Sequence, residues 1–193
     1  MFRAADLPKV IENSQFLLLL LEEEVCMDRV EEIVKSIDKT NNICYICLSR
    51  PYEDIYSDMK NRDIDLSRFH FLDVLSSHYI EMQSNENCTF INSPANLPVI
   101  RSEISKAIRD KKCRVVVFDS ITAMLEYQGT SKIVRFTHDL LSGERQENKI
   151  LYLVLKHGII PVEENEKLVK DLVMFADMAI DLNSAANNKS IEY

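Results

Sequence analysis

A chain of 193 residues in which 46% of the side chains are hydrophobic can close a substantial core, and its length suits a single domain. The net charge of −8 argues against a nucleic-acid or anionic-membrane partner, since both require clustered Lys and Arg, and the longest basic run is Lys111-Lys112. The start of the chain shows no signal-peptide pattern, and its most apolar run, Phe16 to Leu21, falls far short of the roughly 20 residues that cross a bilayer. The expectation is a cytoplasmic protein.

Taken in chain order, short apolar runs alternate with stretches of helical spacing. Strands are predicted at Gln15–Leu21, Ile43–Leu48, Phe69–Asp73, Thr89–Asn92, Arg114–Asp119, Ile150–Leu155 and Met178–Leu182. Several are continuously apolar, as strands buried on both faces of a parallel sheet must be. Cys26, Val30, Ile33, Val34 and Ile37 form one stripe of an amphipathic helix that follows the first strand. Ile100, Ile104, Ala107 and Ile108 repeat the stripe, as do Ile133, Phe136, Leu140 and Leu141, with Gly143 expected as a C′ glycine. Leu168, Val169, Leu172, Val173 and Ala176 form the last stripe, after Pro161 and an acidic first turn at Glu163 and Glu164. Strands alternating with helices imply βαβ units, hence an α/β fold: a three-layer α/β/α sandwich with a mainly parallel central sheet. One domain is expected over residues 1–182, followed by a polar tail over 183–193.

The five cysteines, Cys26, Cys44, Cys47, Cys88 and Cys113, lie within apolar segments and read as buried reduced thiols. Cys44 and Cys47 fall in one strand, where positions three apart face opposite sides of the sheet, so their C-x-x-C spacing is not expected to bind metal. The four histidines have no second ligand at a metal-binding spacing, and no metal or cofactor is expected.

In an open parallel sheet, ligands lie at the carboxyl ends of the strands. There Val115-Val116-Val117-Phe118-Asp119-Ser120 resembles the Walker B strand of RecA/KaiC-like ATPases, in which the aspartate helps hold Mg²⁺. Ile150 to Lys156, followed by His157-Gly158, resembles the next core strand of that family, whose end senses the nucleotide. Phe175-Ala176-Asp177-Met178-Ala179-Ile180-Asp181-Leu182 is similar to the A-D-x-x-I-x-L strand that follows it, and Tyr45 to Leu48 and Arg68 to Asp73 resemble the second and third strands. The resemblance spans most of Gln15 to Leu182 and extends to small archaeal-type KaiC-like proteins. It implies a RecA-like strand order, with Arg114–Asp119 central and Ile150–Leu155 between it and Phe16–Leu21.

The departure from that family lies after the first strand. A phosphate-binding loop needs glycines, a lysine and a Ser or Thr. Here Phe16–Leu21 runs into Glu22-Glu23-Glu24-Val25-Cys26-Met27-Asp28, no glycine precedes Gly129, and no lysine stands between Lys9 and Lys35. Two like charges about 4 Å apart repel by roughly 4 kcal/mol at an effective dielectric near 20, so three carboxylates are poor neighbours for a triphosphate. Glu22, Glu23, Glu24 and Asp28 therefore read as a degenerate Walker A region, with the carboxylates suited to a helix N-terminus; a cation site built from Glu22, Glu23 and Asp119 is the other reading. After the second strand, where the family carries a catalytic carboxylate, the chain has Ser49-Arg50-Pro51-Tyr52. Arg50 is a surface or interface residue on one reading and an anion ligand on the other.

Asp119 and Ser120 read either as caps of the following segment or as metal ligands. Lys156 and His157 are the best-placed ligand candidates. The expected function is a non-catalytic pseudo-ATPase that binds protein as a scaffold or regulatory subunit. Its partner would be itself, in a homo-oligomer, or a RecA/KaiC-like relative, with Tyr52, Tyr56, Tyr79, Tyr127 and Phe69 as candidate interface residues. The alternative is a nucleotide-binding switch or weak ATPase with an unconventional site around Asp119, Ser120, Lys156 and His157. Membrane and nucleic-acid partners are not expected.

Overall fold

The computed structural model describes residues 4–22, 26–79, 81–143, 148–156 and 161–182. Seven parallel strands form one sheet: β1 (Phe16–Leu21), β2 (Asn42–Cys47), β3 (Phe69–Asp73), β4 (Cys88–Phe90), β5 (Cys113–Asp119), β6 (Lys149–Leu155) and β7 (Met178–Asp181). Their order is β4-β3-β2-β5-β6-β1-β7. β5 is central and β6 lies between it and β1, as the resemblance implied. The expected spans shift by no more than two residues, and every expected strand is present.

The helices are α1 (Leu7–Asn13), α2 (Cys26–Ser36), α3 (Tyr52–Asn61), α4 (Ser76–Tyr79), α5 (Leu97–Asp110), α6 (Thr130–Gly143) and α7 (Val162–Val173). Alternation along the strands sorts the core into two layers. Phe16, Leu18 and Leu20 pack with Ile100 and Ile104 of α5, Ile133 and Leu140 of α6, and Leu168 and Leu172 of α7. Leu17, Leu19 and Leu21 pack on the opposite face with Leu7 of α1, Ile33 of α2, and Ile55 and Met59 of α3. Truncating one of these fully buried leucines to alanine typically costs about 2–5 kcal/mol. Cys44 belongs to the first layer and Cys47 to the second, on opposite faces of β2.

Three helices lie outside the predicted set: α1, α3 and the single turn α4. α1 buries only Leu7 and Ile11, and α3 only Ile55 and Met59. One i, i+4 pair each is too faint a stripe to read in advance. α3 ends in a Schellman motif, with Asp63 in the left-handed region at φ 56. Its amide donates to the Lys60 carbonyl at 3.1 Å and the Ile64 amide to the Met59 carbonyl at 3.1 Å, while Ile64 and Met59 share the same core layer.

Gly143 corrects an expectation. It is the last residue of α6 and has no positive φ. A Cβ there would stand 2.6 Å from the Arg101 guanidinium, the far end of a flexible side chain that can move aside, and no left-handed cap is present. His78 falls within α4, where sequence reading expects a polar loop. The tail over 183–193 lies outside the described residues. No described helix is long and apolar enough to cross a membrane.

Candidate functional site at the strand carboxyl ends

Parallel strands bring the ends of β1, β2, β3, β5, β6 and β7 to one side of the sheet, and with them most of the residues singled out above. The β5 end is sealed. Asp119 is 2% exposed, and its carboxylate accepts a 2.6 Å hydrogen bond from the Tyr45 hydroxyl and a 3.4 Å bond from Ser49 Oγ. Its carbonyl accepts from the Leu48 and Ser49 amides at 2.7 and 3.0 Å, closing the β2 exit over it. Burial pushes the Asp119 carboxyl above the ordinary carboxylate value, against the Tyr45 bond and the Arg50 charge, which act to lower it. Burial, together with that carboxylate, raises the Tyr45 phenol well above its usual value.

The expected cap role of Asp119 and Ser120 is corrected by this geometry. The 3₁₀ helix Ile121–Glu126 has Ser120 as N-cap, but no side chain caps it. Asp119 turns instead to Tyr45 on the neighbouring strand. Ser120 Oγ lies 2.5 Å from Thr122 Oγ1, which in turn accepts from the Leu155 amide at 3.0 Å. These two hydroxyls stitch the segment after β5 to the end of β6.

Arg50 is not free to take an outside anion. Its guanidinium donates to Asp58 of α3 at 2.6 Å and contacts Met27 Sδ at 2.7 Å. Asp28, in the first turn of α2, pairs with Arg62 at 2.7 Å on the outer flank. Lys156 lies 2.5 Å from Asp181 at the end of β7 and 3.6 Å from Glu22 at the end of β1. Among the described residues, this end places one ammonium between two carboxylates. Glu23, Glu24 and His157 lie outside the described residues. Among the described residues, no group of three His, Cys, Asp or Glu side chains is placed to hold a metal ion.

The aromatic interface candidates separate. Phe69 is 5% exposed and stacks on Phe71 with ring centroids 5.6 Å apart, so it belongs to the core. Tyr52 and Tyr56 are half-buried in a cluster with Phe71, Tyr52 lying 5.1 Å from Phe71 and 5.4 Å from Tyr56. Tyr127 is half-buried, and the Tyr79 side chain lies outside the described residues.

Asp73 at the end of β3 was not singled out by sequence reasoning. Fully buried, it accepts from the Tyr52, Leu75 and Ser76 amides, each at 2.8 Å, and from Ser76 Oγ at 2.6 Å. It thereby fixes the entries of both α3 and α4. The visible signal was an acid at a strand end followed by Ser76, a cap-like spacing. Asp177 acts similarly: its carboxylate accepts from the Gln15 and Phe16 amides at 2.7 and 2.9 Å, fixing the start of β1.

A family model described as "ATPase: KaiC" matches residues 31–191, leaving the β1–α2 junction outside the match. No curated protein matches the chain. Among solved structures, a structural-project protein of Pyrococcus horikoshii OT3 is similar at 11% identity and a TM-score of 0.62, over 98% of this chain and 91% of that one. A KaiC-like protein of the same archaeon is similar at 13% identity and a TM-score of 0.55, over 93% of this chain and 76% of that one. An uncharacterized protein of that organism, solved in complex with an unknown peptide, is similar at 13% identity and a TM-score of 0.62, over 86% of this chain and 76% of that one. At these identities the likeness is one of fold. The family match covers most of the sequence and agrees with the all-parallel sheet: the chain belongs to the KaiC ATPase family.

Proposed function

We propose that this chain is a KaiC-family domain that does not hydrolyse ATP and acts by binding protein. The observation that carries the reading is the charge arrangement at the β1 and β6 ends. Lys156, the cation best placed to meet a phosphate there, is held between Asp181 and Glu22, and β1 leads into a four-residue connection, Glu22-Glu23-Glu24-Val25, with neither glycine nor lysine. A triphosphate needs converging N–H donors and positive charge. The residues present supply carboxylates, so they do not fit it. Asp119 is equally unsuited to a water-bridged metal, being buried under Tyr45 and the β2 exit. Arg50, after β2, is a cation paired to Asp58 and has no general-base chemistry to offer.

A protein-binding role is supported by exposed apolar side chains at the two ends of α7, Val162 at 53% and Met174 at 82%. It is also supported by the fold relative solved with an unknown peptide. The test is ATP hydrolysis together with calorimetric titration of ATP and ADP, with and without Mg²⁺, on the unaltered chain and on Asp119→Asn and Lys156→Gln. The expected result is no turnover and no nucleotide binding that either substitution removes. Turnover or saturable binding lost in those variants would overturn the reading and make the strand ends an unconventional nucleotide site.

A further inference from the structure

β4 is an edge strand of three residues that pairs only with β3. Cys88 and Phe90 pack in the layer under α3, so Thr89 between them faces the α5 side of the sheet. There Thr89 Oγ1 lies 3.1 Å from Nε2 of His70, the second residue of β3, which is 7% exposed. The other ring nitrogen, Nδ1, is shut off from solvent and has no hydrogen-bond partner. A neutral ring donating from Nε2 to Thr89 has no further proton to place. An imidazolium carries a second N–H at Nδ1, a charged donor buried with nothing to accept it.

The surroundings disfavour that charge. Burial, then the Lys111 ammonium, hold the imidazole below its ordinary value of 6.5, while the Glu103 charge and the Glu86 backbone act to raise it. Glu103 of α5 is already paired with Lys106 at 2.6 Å, and the Glu86 carbonyl accepts from Lys111 at 3.3 Å. On β2, Cys44 stands opposite His70 as a buried thiol, and at the start of β5 burial pushes the Cys113 thiol up to about 12. The Arg68 guanidinium, just before β3, is turned to the Val34 and Asp38 carbonyls at 3.0 and 2.9 Å.

We infer that His70 is an acid-operated latch on this margin: protonation of the ring breaks the fit between β3 and β4, releases β4 and uncovers the main chain of β3. The released ring meets water and regains its ordinary value of 6.5, so the open form binds the proton more tightly than the closed one. Closure is therefore complete above that value and is lost as pH falls below it. The latch does not depend on the reading proposed for the strand carboxyl ends.

The test is amide hydrogen exchange of the full chain by NMR at pH 7, 6 and 5, corrected for the intrinsic rate. It is read at the Phe71 and Ile91 amides, which donate across the β3–β4 margin to the Asn87 and Asp73 carbonyls at 2.8 Å each. Their protection should fall about tenfold between pH 7 and pH 5. At every pH it should stay below that of the Ile150 amide, which donates to the Gln15 carbonyl in the middle of the sheet, because β4 opens without the rest. His70→Gln, which keeps a donor for Thr89 but cannot take a charge, should abolish the fall. Thr89→Val should lower protection at pH 7 and keep the fall. Protection that changes by less than about twofold, or an equal fall in His70→Gln, overturns the latch. So does protection at Phe71 and Ile91 as strong as at Ile150, which makes the opening global. The His70 ring proton, titrated in the unaltered chain, decides without any variant: a midpoint below 6.5 supports the latch, and one at or above 6.5 overturns it.

Discussion

The Tyr45–Asp119 pair separates a structural aspartate from a metal-binding one. Replacing Tyr45 with Phe removes a 2.6 Å donor from a carboxylate that is 2% exposed, leaving Ser49 Oγ at 3.4 Å as its remaining side-chain donor. A hydrogen bond to a buried charged group contributes about 1.5–3 kcal/mol. Tyr45→Phe is therefore expected to destabilise the fold by about 2 kcal/mol at neutral pH, a fall of roughly 6 °C in melting temperature for a chain of this length. Asp119→Asn acts oppositely, because Asn keeps an acceptor for Tyr45 and removes a desolvated charge; its cost should stay within about 1 kcal/mol. The pH dependence has a definite sign. Burial raises the folded carboxyl above its unfolded value of about 3.8, so the folded state holds the proton more tightly between the two values. Asp119's ionisation penalty is absent below that window, grows as pH rises through it, and is constant above it. Acidification across the window should thus favour the unaltered chain over Asp119→Asn. Tyr45→Phe should extend the window upward, since the lost bond opposes the shift. Urea unfolding at several pH values reads all three chains. The reasoning fails if Asp119→Asn costs more than Tyr45→Phe, or if Tyr45→Phe costs less than about 0.5 kcal/mol.

Asp73→Asn turns an acceptor of four hydrogen bonds into a group whose amide faces N–H donors, and should cost about 2–3 kcal/mol by thermal unfolding. Asp63→Gly relieves a left-handed residue in the Schellman motif of α3 and should stabilise by about 0.5–1 kcal/mol; Asp63→Val should destabilise. Burial pushes the Cys88 and Cys113 thiols up to about 12 and raises Cys47 as well. Iodoacetamide at pH 8 should therefore label only the half-buried Cys26 in the folded chain and all five cysteines in urea, as read by mass spectrometry.

The strand positions were legible because uninterrupted apolar runs such as Phe16–Leu21 and Val115–Phe118 have the length and composition of strands buried on both faces. The same runs, joined to the resemblance, placed β6 between β5 and β1. The partners of the candidate residues were not legible, because each is brought in from a distant part of the chain. Tyr45 reaches Asp119 only because β2 lies beside β5 with Cys47 opposite Asp119. Glu22 and Asp181 meet Lys156 only because β1 separates β6 from β7. An aspartate at a strand end looks alike in sequence whether it caps, binds a cation or locks a crossover, so Asp119 was read as a cap while Asp73, the side chain that does fix helix entries, passed unnoticed. His70 was opaque for another reason: a histidine inside a strand reads as packing until its burial and its partner on the next strand are known.

The two outermost strands are the shortest, three residues in β4 and four in β7, against six or seven in β1, β2, β5 and β6. A short margin offers a newcomer few unpaired main-chain groups, and natural sheets use this to discourage lateral growth. Continuing the sheet from one copy into the next would gain little here. Among the described residues, the margins offer little to a partner's strand, which leaves the helical faces and loop ends as the surfaces where side chains rather than backbone would decide fit.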